Sequence, residues 1–159
     1  MTKKDPGDHG RVCPCDACAG RAPDVPEWQR EMMRTIGWYA HQVETGHEES
    51  PTGFSYHTHG LPESFGHPDL EIVFPSAPGE THRVGARLVE LVKAGRKFAP
   101  LVEADDIIEG QRITFARAAE GGREILRVIL PGPDLVLDRG RMAPPYGEQW
   151  EGTAFEPVN

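Results

Sequence analysis

The sequence predicts a single α+β domain with a largely antiparallel sheet and two main helices. Apolar residues recur with helical spacing in two segments and alternate with polar residues, as strands do, in several others. Most of the strand-like segments are joined by short turns, which favours antiparallel pairing. We expect three parts: a flexible cysteine-containing arm at 1–23, an α+β core domain at 24–138 and an irregular tail at 139–159.

The core domain is expected to begin with a helix and a β-hairpin. Asp24 is a candidate N-cap, Pro26 suits a first helical turn, and Gly37 is a stop signal. The apolar residues between them that fall on one helical stripe are Trp28, Met32, Met33 and Ile36. The period then changes to two, which predicts strands at 38–43 and 54–59 around a polar turn.

The middle of the chain predicts a loop, a buried strand and the clearest helix. Glycine and proline punctuate residues 60–68. An apolar run at 70–74, broken only by Glu71, is typical of a buried strand. Residues 80–93 then place valines and leucines on one helical stripe, and Gly95 follows as a stop signal.

The last part of the core domain predicts a meander of short strands. The stretch that leads up to Ile113 is expected to be irregular, and Ile113 and Phe115 then alternate in a strand. A Gly-Gly turn connects this strand to another at 125–130. Residues 135–137 are expected to form a last short strand before a loop-like tail.

Charge and composition exclude several classes of partner. There are 25 Asp and Glu against 17 Lys and Arg, a net charge of -8, so we expect neither a nucleic acid nor a membrane as partner. No apolar run approaches the roughly 20 residues that span a bilayer, and none resembles a signal peptide. We expect a cytoplasmic protein with an unidentified small molecule or protein as partner; its oligomeric state stays open.

All three cysteines lie in the N-terminal arm, where they form a candidate metal site. His9 precedes Cys13, Cys15 and Cys18, which places four donors within ten residues. Thiolates and imidazole suit tetrahedral zinc, and a Cys-x2-Cys turn presents two sulfurs to one ion. The alternatives are a thiol-redox pair, an iron–sulfur cluster or three reduced surface thiols.

A second candidate site lies on the second strand of the hairpin and in the loop that follows. Alternation places His57 and His59 on one face of that strand, and a Gly-His-Pro-Asp segment adds His67 and Asp69. If the two hairpin strands pair, His41 lies opposite His57 or His59. Three imidazoles with one open position are typical of catalytic zinc or iron sites.

This pattern predicts a metal-dependent enzyme with His57, His59, His67 and Asp69 as its catalytic residues. The three histidines would hold zinc or another divalent transition metal such as iron, which would activate water or polarise a carbonyl. Asp69 or Glu63 would orient an imidazole or act as the general base.

The alternative is a non-catalytic partner-binding or regulatory module with a structural zinc in the cysteine arm. A histidine before proline can also simply cap a turn, and a His-x-His strand needs no ligand.

Three segments carry a family resemblance: Ile36-Gly37-Trp38, Thr58-His59-Gly60-Leu61 and Ser64-Phe65-Gly66-His67-Pro68-Asp69-Leu70. With the Cys-x2-Cys arm and the long helix, they resemble a bacterial domain family of unknown function, number 4262, over roughly residues 13–115. The Gly-His-Pro-acid-Leu segment is the most specific part. His57 stands where the family typically has tyrosine, and His59 where it has a small apolar residue. The resemblance implies a cytoplasmic bacterial domain and no particular activity.

Overall fold

The computed structural model describes residues 31–32, 34–44, 54–73, 75, 78–120 and 123–154, in which six strands and two helices have defined bounds. Residues 31–32 and 34–35 are also helical, within the segment where the first helix was expected. The strands are β1 (Tyr39–Glu44), β2 (Phe54–His59), β3 (Leu70–Val73), β4 (Ala104–Ile108), β5 (Gln111–Glu120) and β6 (Arg123–Ile129). The helices are α1 (Leu61–Phe65) and α2 (Pro78–Lys93), and two 3-10 turns follow at Arg139–Arg141 and Tyr146–Trp150. The predicted α+β class is confirmed.

The strands form one sheet in the order β1-β2-β3-β6-β5-β4. Every neighbouring pair is antiparallel except β3 and β6, which run parallel. A parallel pair needs a long crossover connection, and here the chain between β3 and β6 contains α2, β4 and β5. The largely antiparallel sheet and the β1–β2 hairpin follow the prediction.

One face of the sheet packs against α2 and forms the main hydrophobic core; we call it the helix face. The strand residues in this core include Tyr56, Leu70, Ile72, Ile113, Phe115, Leu126 and Val128. The apolar stripe of α2 supplies Val84, Leu88, Val89 and Val92. Since side chains alternate along a strand, the residues between these strand positions belong to the opposite face.

The opposite face carries a smaller core that the tail segment (residues 135–154) closes; we call it the tail face. Its buried members are Ala116, Ile129, Leu137 and Trp150. The Gln149 side chain holds the tail segment to the end of β6, because it accepts a hydrogen bond from the Leu130 N–H (2.8 Å) and donates one to the Leu130 carbonyl (2.7 Å). The residues expected as an irregular tail therefore pack on the sheet as far as residue 154.

Two predicted irregular stretches contain secondary structure. The glycines that predicted a loop at 60–68 instead flank α1: Gly60 and Gly66 both have positive φ, and Pro62 lies in the first turn. Glycine and proline can begin or end a short helix as readily as they form a loop. The stretch before Ile113 contains β4, an edge strand with two exposed aspartates whose sequence shows no alternating apolar pattern.

The predicted strand at 135–137 is wrong. Leu135 has a positive φ of 62° and is exposed, whereas Leu137 is buried in the tail-face core. The apolar run therefore reflects the packing of one side chain rather than a strand.

None of the helices in the described ranges is long and apolar enough to cross a membrane.

Helix α2 approaches β2 closely at Gly85. The buried Tyr56 ring occupies the space that a side chain at this position would need, so an added Cβ would overlap ring atoms. In the first turn of the same helix, an added Cβ at Gly79 would have no neighbour within 4 Å.

We expect Gly85→Ala to lower the free energy of unfolding by about 1–3 kcal/mol, because overlap in the core outweighs the better helix propensity of alanine. Gly79→Ala, in open space, is expected to leave stability unchanged or slightly raised. Urea denaturation of both variants measures the difference. Equal effects of the two substitutions would contradict the close contact at Gly85.

Candidate functional site: a buried polar row across the sheet

His67 is held on the helix face by hydrogen bonds at both ring nitrogens. Its Nε2 accepts a hydrogen bond from the Phe98 N–H (3.0 Å), so the proton lies on Nδ1, which donates to the Pro68 carbonyl (2.8 Å). Phe98, which also packs edge-on against the imidazole, belongs to the main core. A neutral His67 thus connects the loop after α1 to the chain that follows α2.

Burial lowers the pKa of His67 below its ordinary value, and the positive charge of Lys97 acts in the same direction. The hydrogen bond to Pro68 and the charge of Asp69 oppose this shift without reversing it. His67 is therefore a neutral structural group, since protonation at Nε2 would remove the acceptor that Phe98 needs.

Asp69 caps α1 and connects it to β2. One carboxylate oxygen, Oδ1, accepts hydrogen bonds from the Thr58 hydroxyl (2.7 Å) and from the Leu61 N–H (3.1 Å), an otherwise unpaired donor at the helix start. The Thr58 hydroxyl oxygen in turn accepts a hydrogen bond from the Leu70 N–H (3.0 Å). The carboxylate is buried at 1% exposure and is committed to this network.

His57 and His59 lie on the other side of β2. They alternate with Tyr56 and Thr58, which belong to the helix-face side, so both imidazoles belong to the tail face. Their ring centres are 5.3 Å apart, and both side chains are buried, at 0% and 1% exposure. The His57 Nδ1 and the Ser55 hydroxyl are hydrogen-bonded at 3.2 Å, and His59 stacks on the buried Tyr39 ring at 5.0 Å.

His57 is part of a row of polar residues that crosses four neighbouring strands; we call it the polar row. The backbone register pairs His41 of β1 with His57, His57 with Glu71 of β3, and Glu71 with Arg127 of β6. Directly opposed residues share a face of the sheet and have Cβ atoms about 5 Å apart. His41 was expected opposite His57 or His59, and the backbone register pairs it with His57.

The charged end of the polar row is a buried ion pair. Arg127 Nε donates to Glu71 Oε1 at 2.8 Å, and the two side chains are 4% and 3% exposed. Arg127 Nη1 also donates to the main-chain carbonyls of Gln149 (2.9 Å) and Glu151 (2.6 Å) in the tail segment. The guanidinium therefore connects Glu71 to the tail segment that closes this face.

The structure does not bring the four predicted catalytic residues together. His57 and His59 lie on the tail face, whereas His67 and Asp69 form hydrogen bonds on the helix face. No three His, Cys, Asp or Glu side chains in the described ranges are grouped so that they could hold a metal ion. The other predicted ligands, His9, Cys13, Cys15 and Cys18, lie outside the described residues.

Glu71, Arg127 and Ser55 are the members of this site that sequence reasoning missed. A usable signal exists for two of them: Glu71 is the one charge in the apolar run of β3, and Arg127 is flanked by apolar residues in β6. A charge inside a buried strand must have a partner, because an unpaired buried charge is too costly. The pairing itself needs the parallel β3–β6 register, which the sequence alone does not reveal.

The fold and the site together define an α+β domain whose sheet buries two histidines of β2 and an ion pair, and whose tail segment is hydrogen-bonded to the arginine of that pair. A family model, described as domain of unknown function (DUF4262), matches residues 32–127, more than half of the 159. The chain therefore belongs to this family, as its sequence motifs predicted. The match includes the whole polar row but not the tail segment. No curated protein and no solved structure matches the chain.

We expect acidification to destabilise the fold through His67. Because its pKa is lower in the folded protein than the ordinary 6.5, the unfolded chain takes up the proton first as the pH falls below that value. The free energy of unfolding should therefore decrease from about pH 6.5 downward, and less steeply in His67→Gln. Urea midpoints between about pH 5 and 7.5 measure the slope. His82→Gln, at an exposed position on α2, is the control. If it reduced the pH dependence of the free energy of unfolding as much as His67→Gln does, the role of His67 would be contradicted.

Asp69→Ala is expected to lower the free energy of unfolding by about 1–3 kcal/mol, because the buried Leu61 N–H and Thr58 hydroxyl lose their acceptor. Asp138→Ala removes an exposed carboxylate that pairs with Arg141, and it should change stability by less than about 0.5 kcal/mol. Thermal or urea unfolding compares the two. Similar losses in both variants would contradict the capping role.

Proposed function

We propose that this domain binds a divalent transition metal, zinc or a similar ion such as iron, between His57 and His59 on the tail face. The observation that carries the proposal is the 5.3 Å separation of the two ring centres on one buried face. An ion about 2.1 Å from each nitrogen lies roughly 3.2 Å from each ring centre, and a tetrahedral angle then separates the centres by roughly 5 Å. The distance between the two ring centres is therefore compatible with a shared tetrahedral ion.

His41 is the third ligand in this proposal. Its backbone is directly opposite His57 in the hairpin, and residues paired in this way lie on the same face of the sheet. A set of three histidines on one strand pair is a donor combination that suits zinc and iron. The predicted ligand His67 is left out, because both its nitrogens support the fold.

The Ser55 hydroxyl orients His57 for metal binding. Ligand histidines usually use their second ring nitrogen in a hydrogen bond, which sets the tautomer and the ring orientation. A His57 that donates from Nδ1 to Ser55 has its lone pair on Nε2, the nitrogen that would bind the ion.

Burial favours a structural or regulatory ion over a catalytic one. Structural metal sites are closed, whereas catalytic sites leave a position open to water and substrate. His57 and His59 are 0% and 1% exposed, and Asp69, the predicted base, is committed to the cap of α1. We therefore propose a non-catalytic, metal-binding domain. A metal-dependent enzyme is the weaker alternative, because it would need the tail face to open.

Zinc titration in competition with a chromophoric chelator tests the site. Loss of an outer hydrogen-bond partner of a ligand costs roughly 10–100-fold in metal affinity, so we expect Ser55→Ala to weaken zinc binding about 10-fold. Loss of a ligand costs more, so His41→Gln, His57→Gln and His59→Gln should each weaken zinc binding by more than that range. His67→Gln is the matched control and should retain wild-type affinity.

Cys15→Ser separates the histidine site from the cysteine arm. The variant should retain the zinc that the histidine variants lose. Zinc that survives the double substitution His57→Gln with His59→Gln but is lost in Cys15→Ser would contradict the proposal and assign the ion to the arm.

A further inference from the structure

A groove open to solvent lies where the β4–β5 hairpin meets Leu135, the first residue of the tail segment. Its volume is about 400 Å³, and its lining residues are Asp105, Gly110, Gln111, Arg112 and Leu135. Small-molecule sites usually have volumes of about 300–1,000 Å³ and combine apolar walls with a few polar groups. The groove therefore has the size and the mixture of residues that a small ligand needs, and it shares no residue with the proposed metal site.

Two opposite charges face this groove from neighbouring strands. Ala104 of β4 and Ile113 of β5 are paired in the backbone register, and both belong to the main core on the helix face. Asp105 follows Ala104 and Arg112 precedes Ile113, so alternation directs both charged side chains away from that core. Both residues are exposed. The groove thus presents a carboxylate and a guanidinium side by side.

The Arg112 guanidinium is held in place by a neighbour and keeps further donors for a ligand. Its Nη1 donates to Glu103 Oε1 at 2.6 Å. A guanidinium has five N–H donors in a planar fork, so a second carboxylate can bind beside the first. The Gln111 side chain, next to Arg112 in the lining, adds an amide donor. This end of the groove therefore suits a carboxylate group.

Leu135 supplies the apolar wall of the groove. Its φ is 62°, a left-handed conformation that is unfavourable for a leucine, and its N–H donates to the Gly132 carbonyl (2.9 Å) in the turn. The residue is 49% exposed, so burial in a core does not offset this strain. Strained backbone conformations are concentrated at functional sites, ligand clamps among them. The exposed Leu135 side chain thus offers an apolar contact to a ligand in the groove.

We propose that this groove binds a small zwitterion of the α-amino-acid class with an aliphatic side chain. The ligand's ammonium group donates to Asp105, its carboxylate accepts from Arg112, and its side chain lies against Leu135. A ligand with only a positive charge is repelled by Arg112, and one with only a negative charge is repelled by Asp105. A zwitterion satisfies both groups, and none of these contacts involves the histidines of β2.

NMR titration of the full chain with leucine and two analogues tests the ligand class. Isoamylamine is leucine without its carboxylate, and isocaproate is leucine without its ammonium group. We expect leucine to shift the amide signals of Gln111, Arg112 and Leu135 and to saturate with a Kd on the order of 1 mM, because exposed charges bind weakly. Each analogue should bind about 5-fold more weakly than leucine, since it loses one ion pair and keeps one repulsion.

Three variants test the contacts separately. Asp105→Asn and Arg112→Gln should each weaken leucine binding about 5-fold. Asp105→Asn should also improve the binding of isocaproate, and Arg112→Gln that of isoamylamine, because each substitution removes the repelling charge. Leu135→Ala should weaken the binding of leucine but not that of glycine, which has no side chain to lie against the wall.

Arg117→Gln and Glu124→Gln are the matched controls. They remove the two members of another ion pair on β5 and β6, outside the lining of the groove, and both should bind leucine as the wild type does. The proposal is overturned if leucine causes no saturable shift at the lining residues, or if either analogue binds as tightly as leucine. Loss of zinc binding in the histidine variants is a separate result and leaves this proposal standing.

Discussion

The buried ion pair between Glu71 and Arg127 is the interaction on which much of this sheet depends. It joins β3 to β6, the one parallel pairing among the described strands, and the guanidinium also holds the tail segment through two main-chain carbonyls. A slip of one residue in either strand would move a charge into the main core on the helix face. Because an unpaired charge there is too costly, the pair restricts the register as well as joining the strands.

The histidines of this domain serve two different purposes on the two faces of one sheet. His67 is neutral and connects two loops on the helix face, where its nitrogens satisfy main-chain groups. His57 and His59 are buried together on the tail face, beside the Ser55 hydroxyl of their own strand; neighbouring strands place the Tyr39 ring against His59 and Glu71 opposite His57. The helix-face histidine connects elements of the fold, whereas the tail-face pair packs against polar and aromatic neighbours.

The histidine pair was predictable from the sequence, because strand alternation is a local property. A period of two places His57 and His59 on one face wherever the strand lies, and antiparallel pairing of the two hairpin strands places His41 opposite one of them. The grouping of His67 and Asp69 with them was not predictable. Both follow a turn that became α1, and the direction in which a side chain leaves such a turn depends on its caps rather than on any periodicity.

The sequence by itself determined the α+β class, the hairpin, the long helix and the shared face of the histidines. These features depend on residue periodicity and turn chemistry, which act over a few neighbours. Only the tertiary structure decided that Glu71 meets Arg127, that the tail segment closes the sheet, and that Asp69 caps a helix. These contacts join residues 8 to 56 positions apart, and nothing local specifies which distant group will satisfy a buried charge or donor.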